Sequence, residues 1–328
     1  MSGDTRTASA ISSKRSPAKD CRAVNRRTGR GSPETIGCDI GGTSIQVVRL
    51  RGGRASSLRQ IATPRNREEL LESLAREVCD IRDGTSRTRA QIAAVGVAFC
   101  GLLDRRRRSI LHSTHLDFLD GCRMVDRLER RLQLPVVLDA DTNAGAVAEA
   151  TLGAGRRSRR MLYLSLGTGV GAALTVDATP VRASFHTIGQ VAQLPLVDPL
   201  RGSQEPQSAE SLLSAQSILR RAKRLGLNVR TTEELYHAAR SRRKSSRAVW
   251  RQVGELTGQL LRLLTVLWSP EVVVVGGGVA LAGEFVLPAA KRYLSRTLAI
   301  QPPELLQAEK ARGAGAIGAA ILARQGIG

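Results

Sequence analysis

Apolar and polar positions alternate in blocks along this chain, and the blocks change character near residue 35. Residues 1–34 are polar and basic, rich in Ser, Thr and Gly, with no apolar period. This predicts a disordered arm. Residues 36–40 then form a short apolar run that predicts a strand. It turns at Gly41-Gly42 and returns over 44–50, where Ile45, Val47 and Val48 supply β-branched bulk. Over 67–83, Leu70, Leu71, Leu74, Val78 and Ile81 recur at helical spacing. A buried strand is expected at 92–99, a helix at 123–132, a strand at 136–138 and an Ala-rich helix at 143–151.

The second half repeats this grammar. A strand at 161–166, a Gly-rich turn at 167–171 and a return strand at 172–176 are followed by helices expected near 209–225, 232–239 and 249–267. A run of four valines, 272–275, precedes Gly276-Gly277-Gly278 and predicts a buried strand. Helices near 284–298 and 313–324 close the chain. Strands alternating with helices indicate an α/β fold. A strand–glycine–strand unit at the start of each half suggests two similarly built domains with a ligand between them.

Composition narrows this picture. The chain has 328 residues, 42% of them hydrophobic, enough for two domains with sizeable cores. It has no apolar run long enough to span a membrane and no secretory signal pattern, which favours a cytoplasmic location. The five cysteines form no CxxC pair, which suits a reducing compartment. The net charge of +21 invites a nucleic-acid reading. Against it, the basic residues are nearly all arginine, their clusters at 105–108, 156–160 and 240–247 lie far apart, and aromatics for base stacking are only 3%. The expectation is no specific nucleic-acid partner.

Four motifs carry chemistry. In Asp39-Ile40-Gly41-Gly42-Thr43 an acid ends a strand, two glycines admit a ligand to the backbone, and Thr43 can bond phosphate. Asp39 suits Mg2+, held through water. Backbone N–H groups of Gly167-Thr168-Gly169 can form an anion-binding concavity. Gly276, Gly277 and Gly278 leave room for a flat ring or a helix start. In Asp139-Ala140-Asp141-Thr142-Asn143, after a strand and before a helix, Asp141 can accept a hydroxyl proton during attack on phosphorus. Each has a plainer reading, a tight turn or a helix cap.

Together and in this order, the motifs resemble the ROK family (repressors, open reading frames, kinases), from about Thr35 to the C-terminus. DIGGT at 39–43 and SLGTGVGAAL at 165–174 are similar to its two phosphate motifs, and PEVVVVGGGVA at 270–280 to its adenosine motif. LDADTNA at 138–144 resembles its ENDANA, which puts the family's catalytic aspartate on Asp141. GVAFCGLLD at 96–104 resembles its GxPGxxD, with Cys100 in place of proline. GAIGAAILA at 315–323 resembles its closing helix.

The resemblance implies two ribonuclease H-like domains of the actin-like ATPase and hexokinase kind around a central cleft. The expected divisions are an arm at 1–34, a first domain at 35–149, a second at 150–312, and a closing segment, 313–328, packed back on the first. It implies an ATP-dependent sugar kinase acting on a hexose or N-acylhexosamine, with Mg2+, a small-molecule sugar as partner, and a homodimer. Sugar contacts would fall on Gly101, Thr114, Asp141, Gln190, Gln193 and Glu210. Several of these depart from the family pattern. Ala140 replaces a sugar-binding asparagine, and Gln190 and Gln193 replace the glutamate and histidine of GExGH. The cysteine cluster CxCGxxGCLE is missing, which predicts no zinc site. A weakly catalytic sugar or nucleotide sensor is the alternative, and polyphosphate stays open as donor. A repressor is disfavoured, because 1–34 is too short and polar for a winged helix.

Overall fold

The computed structural model describes residues 33–56, 58–84, 91–113, 115–182, 190–198, 205–310 and 312–327. The arm expected at 1–34 lies outside them except for its last two residues, and Thr114 lies outside them too.

The first sheet has the order β3-β2-β1-β5-β8, with β4 also on β2. Its strands are β1 (Glu34–Ile40), β2 (Ser44–Arg51), β3 (Arg54–Ala55), β4 (Arg59–Ala62), β5 (Ile92–Phe99) and β8 (Val136–Ala140). β1 pairs antiparallel with β2 and parallel with β5, which is parallel to β8. β1 and β5 are buried along almost their whole length, as strands covered on both faces must be. Helices α1 (Arg67–Gly84) and α2 (Met124–Leu132) join them in one core with Leu70, Leu74, Val125 and Leu128. Between β5 and α2 lies a small hairpin, β6 (Leu102–Leu103) with β7 (Ile110–His112).

The second sheet repeats the plan as β11-β10-β9-β14-β15. Here β9 (Arg160–Leu166) pairs antiparallel with β10 (Val170–Val176) and parallel with β14 (Val272–Gly276), and β15 (Glu304–Gln307) lies parallel beyond it. β11 (Thr179–Pro180) edges β10. Further on come the two-residue pair β12 (Pro195–Leu196) and β13 (Gln207–Ser208), then helices α4 (Ala209–Leu213), α5 (Ala215–Arg224), α6 (Thr232–Arg240), α7 (Lys244–Trp268) and α8 (Gly283–Thr297). Trp250 of α7 is wholly buried in this second core. The single helix expected over 209–225 is broken at Ser214. Its extended backbone lets the Ala215 amide donate to the Gly167 carbonyl at 2.7 Å.

Two helices join the sheets. α3 (Asp141–Leu152) packs on β9 and β10, and also on α9 (Ala314–Gly326), which lies on β1 and β5. The contact is very close. A Cβ on Gly37 or Gly96 would stand 1.9 Å from a carbonyl oxygen of α9, and one on Gly318 only 1.7 Å from the Ala144 carbonyl of α3. The small residues of α9 are what permit this approach. Buried Glu149 of α3 accepts the amides of Ala154, Glu309 and Lys310 at 2.8, 3.2 and 2.6 Å, pinning the lead into α9.

β1 starts at Glu34, one residue inside the stretch assigned to the arm. The Glu34 side chain is buried and pairs with Arg49 and Arg51. Cys38, Cys100 and Cys122 are free thiols. Cys79 is disulfide-bonded, a pairing that the cysteine spacing did not signal. Among the described residues no helix is long and apolar enough to cross a membrane.

Candidate active site

β1 carries Asp39 near its C-terminal end, paired on both sides. The turn after it is tied on both sides. The Gly41 amide donates to Ser44 O at 3.0 Å, the Thr63 amide to Thr43 O at 3.1 Å, and Thr63 Oγ1 to Gly41 O at 2.7 Å. Gly42 and Thr43 stay exposed. A Cβ on Gly42 would lie 3.3 Å from that of His115, so the loop after β7 stands over this turn. The Asp39 side chain meets the first turn of α9, where a Cβ on Gly315 would come within 2.3 Å of Oδ2. Desolvation, and then the charge of Asp141, push the Asp39 pKa up to about 7.

Asp141 is the first residue of α3, reached directly from β8. It does not cap the helix. Ala140 holds the cap position without a side-chain bond, while Asp141 Oδ1 accepts the Thr142 amide at 2.7 Å. Desolvation raises the Asp141 pKa, and hydrogen bonds from the Thr142 amide and the Cys100 thiol oppose the rise. Cys100, between β5 and β6, is itself pushed up to about 12, chiefly by the charge of Asp141. At neutral pH the thiol therefore keeps its proton and donates it to the carboxylate.

The second glycine turn lies between β9 and β10. The Gly167 amide donates to Gly169 O at 3.0 Å, and the Val170 amide to Glu210 Oε2 at 3.1 Å. A Cβ on Gly171 would lie 2.5 Å from Thr142 Cγ2, so β10 abuts the first turn of α3. Gly167 also faces the Gly278 amide, at 3.7 Å from where its Cβ would be. Gly277 has φ +80, and a Cβ there would lie 2.3 Å from Leu166 O, so both backbone conformation and space demand glycine. Thus the turns at 167–169 and 276–278 adjoin each other, β10 adjoins the start of α3, and Asp39, ahead of the turn at 41–43, feels the charge of Asp141. Thr43 and Thr168 are both exposed.

Beside the site an ion pair crosses between the sheets. Asp139 lies near the end of β8 with a side chain only 2% exposed. Arg182, just after β11, grips its Oδ2 with Nε at 3.0 Å and Nη2 at 2.6 Å. Oδ1 accepts the Ala140 amide and Asn143 Nδ2, both at 2.8 Å. Arg107, from the β6–β7 hairpin, stands 4.0 Å away with left-handed backbone, φ 51.

The residues expected on the acceptor side are more dispersed. Gly101 packs against Phe99 and the His112 carbonyl. Gln190 and Gln193 are exposed at the two ends of a 3-10 turn, the Gln193 amide donating to Gln190 O at 2.9 Å. The Glu210 carboxylate is engaged with the second glycine turn. Thr114 and Gly189 lie outside the described residues. Among the described residues no group of three or more His, Cys, Asp or Glu is placed to hold a metal.

The ROK family model matches residues 35–326, nearly the whole described chain. The chain belongs to the ROK family. It is 28% identical to a glucokinase of Streptomyces coelicolor over 315 residues, covering 89% of this chain and 98% of that one. It is 30% identical to a ROK family glucokinase of Streptomyces griseus solved with glucose and AMPPNP, with a TM-score of 0.74 and coverage of 89% and 99%. A ROK family transcriptional regulator superposes with a TM-score of 0.79 at 18% identity, a likeness of fold alone.

Three contacts of this ROK site were missed in the sequence. Cys100 lies inside the quoted motif, and its exchange for proline was the signal that a thiol reaches Asp141. Thr142 against Gly171 follows from the tight spacing of the turns. Arg182 gives no local signal, since its partner lies 43 positions earlier.

Proposed function

We propose that this protein is an ATP-dependent sugar kinase, transferring the terminal phosphoryl group to a hydroxyl of a hexose or N-acylhexosamine. The observation that carries this reading is the half-buried Asp141 at the start of α3, with its proton affinity raised, where β10 abuts the next residue and Asp39 feels its charge. A base whose pKa is lifted from the ordinary carboxylate range accepts a hydroxyl proton more readily at neutral pH. The Thr142 amide and Cys100 thiol hold the carboxylate in place. The likeness to a glucokinase solved with glucose and AMPPNP supports both substrates.

In this reading the backbone of Gly41, Gly42, Thr43, Gly167, Thr168 and Gly169 holds the donor phosphates. The glycines at 276–278 leave space for the adenosine. Such transfer depends mainly on positioning and electrostatic stabilisation, which a preformed cradle provides. Mg2+ fits Asp39, a hard oxygen donor with no cationic side chain paired to it among the described residues and with a like charge nearby. When bound, Mg2+ offsets charge on the phosphates.

The acceptor is held by fewer charged groups. Ala140 offers no side-chain hydrogen bond, and Gln190 and Gln193 are neutral. Bonds to charged groups contribute about 1.5–3 kcal/mol against about 1 for neutral ones. These changes therefore favour an acceptor other than plain glucose. They also favour the second reading, a sensor that binds sugar or nucleotide and transfers little. A screen of hexoses and N-acylhexosamines, with ATP and with polyphosphate, separates the two. The kinase reading expects ATP-dependent transfer to at least one acceptor. Nucleotide binding with no transfer across the panel supports the sensor.

A further inference from the structure

Between the start of α1 and the start of α2, outside the cleft, lies a cavity of about 420 Å3. Arg67, Arg123, Arg127 and Arg130 line it with a single carboxylate, Asp126, beside the buried Cys122. That carboxylate is already committed. Its Oδ1 accepts Arg108 at 2.5 and 2.9 Å, and its Oδ2 pairs with Arg123 at 2.6 Å. Glu68 is divided between Arg127 and Arg131, and Glu129 pairs with Arg108 at 2.6 Å. Four arginines, Arg108, Arg123, Arg127 and Arg131, thus share three carboxylates in and beside the cavity.

Arg67 and Arg130 have no carboxylate partner among the described residues. Arg67 is nonetheless fixed, donating to Phe118 O at 3.0 Å and Asp120 O at 2.9 Å, and Arg130 Nε donates to Asp126 O at 3.1 Å. Guanidinium groups held in place around a space, with positive charge left over, match a phosphate-bearing anion. Among the described residues no aromatic ring lines the cavity to stack a nucleotide base. We propose that this cavity binds an inorganic oligophosphate, two or more linked phosphates. The loop it touches leads to the cleft. Asp120 Oδ1 accepts the Ser113 amide at 2.8 Å, and His115 stands over Gly42. An anion drawing on Arg67 therefore acts on the segment beside the first glycine turn.

The test is calorimetric titration of the full chain with tripolyphosphate near physiological salt. One site per chain is expected, whether or not the protein transfers phosphate to sugar. Arg123→Gln with Arg130→Gln should weaken binding at least about tenfold, since two charge-assisted contacts are lost. The matched pair Arg292→Gln with Arg296→Gln, exposed on α8, removes the same charge and should weaken it less than about threefold, because screening limits distant charges. Hydrogen exchange on the wild type, which depends on no variant folding, should show tripolyphosphate protecting 118–127. Absence of binding, equal weakening in both pairs, or protection confined to the turns at 41–43 and 167–169 would overturn the proposal.

Discussion

Asp39 keeps its proton to a pH of about 7, where its ordinary value is 3.8. The sign of the consequence follows. The unfolded chain releases this proton near 4 and the folded chain near 7, so the group favours folding below pH 4 and that contribution is lost as pH rises to 7. Asp39→Asn removes the ionisation. Its stability relative to wild type should climb between pH 4 and 7 and level off above, with a gain of about 1–3 kcal/mol. Urea denaturation of both proteins at pH 4, 5.5, 7 and 8 measures it. A difference independent of pH would mean that Asp39 is not strained in the folded state. The motif around Asp39 was legible because a carboxylate at the end of an apolar strand, followed by two glycines, is a local pattern. The like charge facing it was not, because Asp141 lies on another strand–helix junction.

Among the elements, the bridge from Arg182 to Asp139 ties the edge of the second sheet to β8, two residues before α3 begins. Removing one partner of a buried pair leaves the other uncompensated, at about 3–5 kcal/mol when both are fully buried. Arg182 is 26% exposed, so Arg182→Gln should cost less, about 1–3 kcal/mol. Arg182→Lys should recover part of it, since a single ammonium replaces a two-pronged grip. A loss below about 0.5 kcal/mol by denaturation, the size of an ordinary surface change, would show that the bridge holds nothing. Long apolar elements were readable because their burial imposes a pattern. β3, β11, β12 and β13 have two residues each and impose none. The break at Ser214 was hidden because the helical period continues through it. Its cause is a long-range bond, from Ala215 to the second glycine turn.

At the scale of the whole molecule, the strand–turn–strand plan occurs twice; β10 of the second unit abuts the start of α3, and Asp39 of the first feels the charge of Asp141 there. The α/β repeat was visible in the sequence as two blocks of similar order. The acceptor side was the least legible, since Gln190 and Gln193 lie on a short turn whose position depends on distant packing. The chain's beginning gives a clean contrast. Deleting 1–32 is the reference, because it leaves β1 whole. Deleting 1–34 should cost about 1–3 kcal/mol more, because it removes Glu34 and leaves Arg49 and Arg51 without their carboxylate. Equal stability of the two truncations would contradict the structural role of Glu34. The central claim is that Asp141 takes the acceptor proton while the glycine turns hold the donor, and one comparison tests it most directly. Phosphoryl transfer and nucleotide affinity are measured side by side for wild type and Asp141→Asn, over the full sugar panel. The expected result is transfer by the wild type, its loss by at least about 1,000-fold in the variant, as befits a base that also positions its substrate, and nucleotide affinity unchanged within about threefold. Equal transfer by both proteins, or negligible transfer by both with nucleotide still bound, would contradict it.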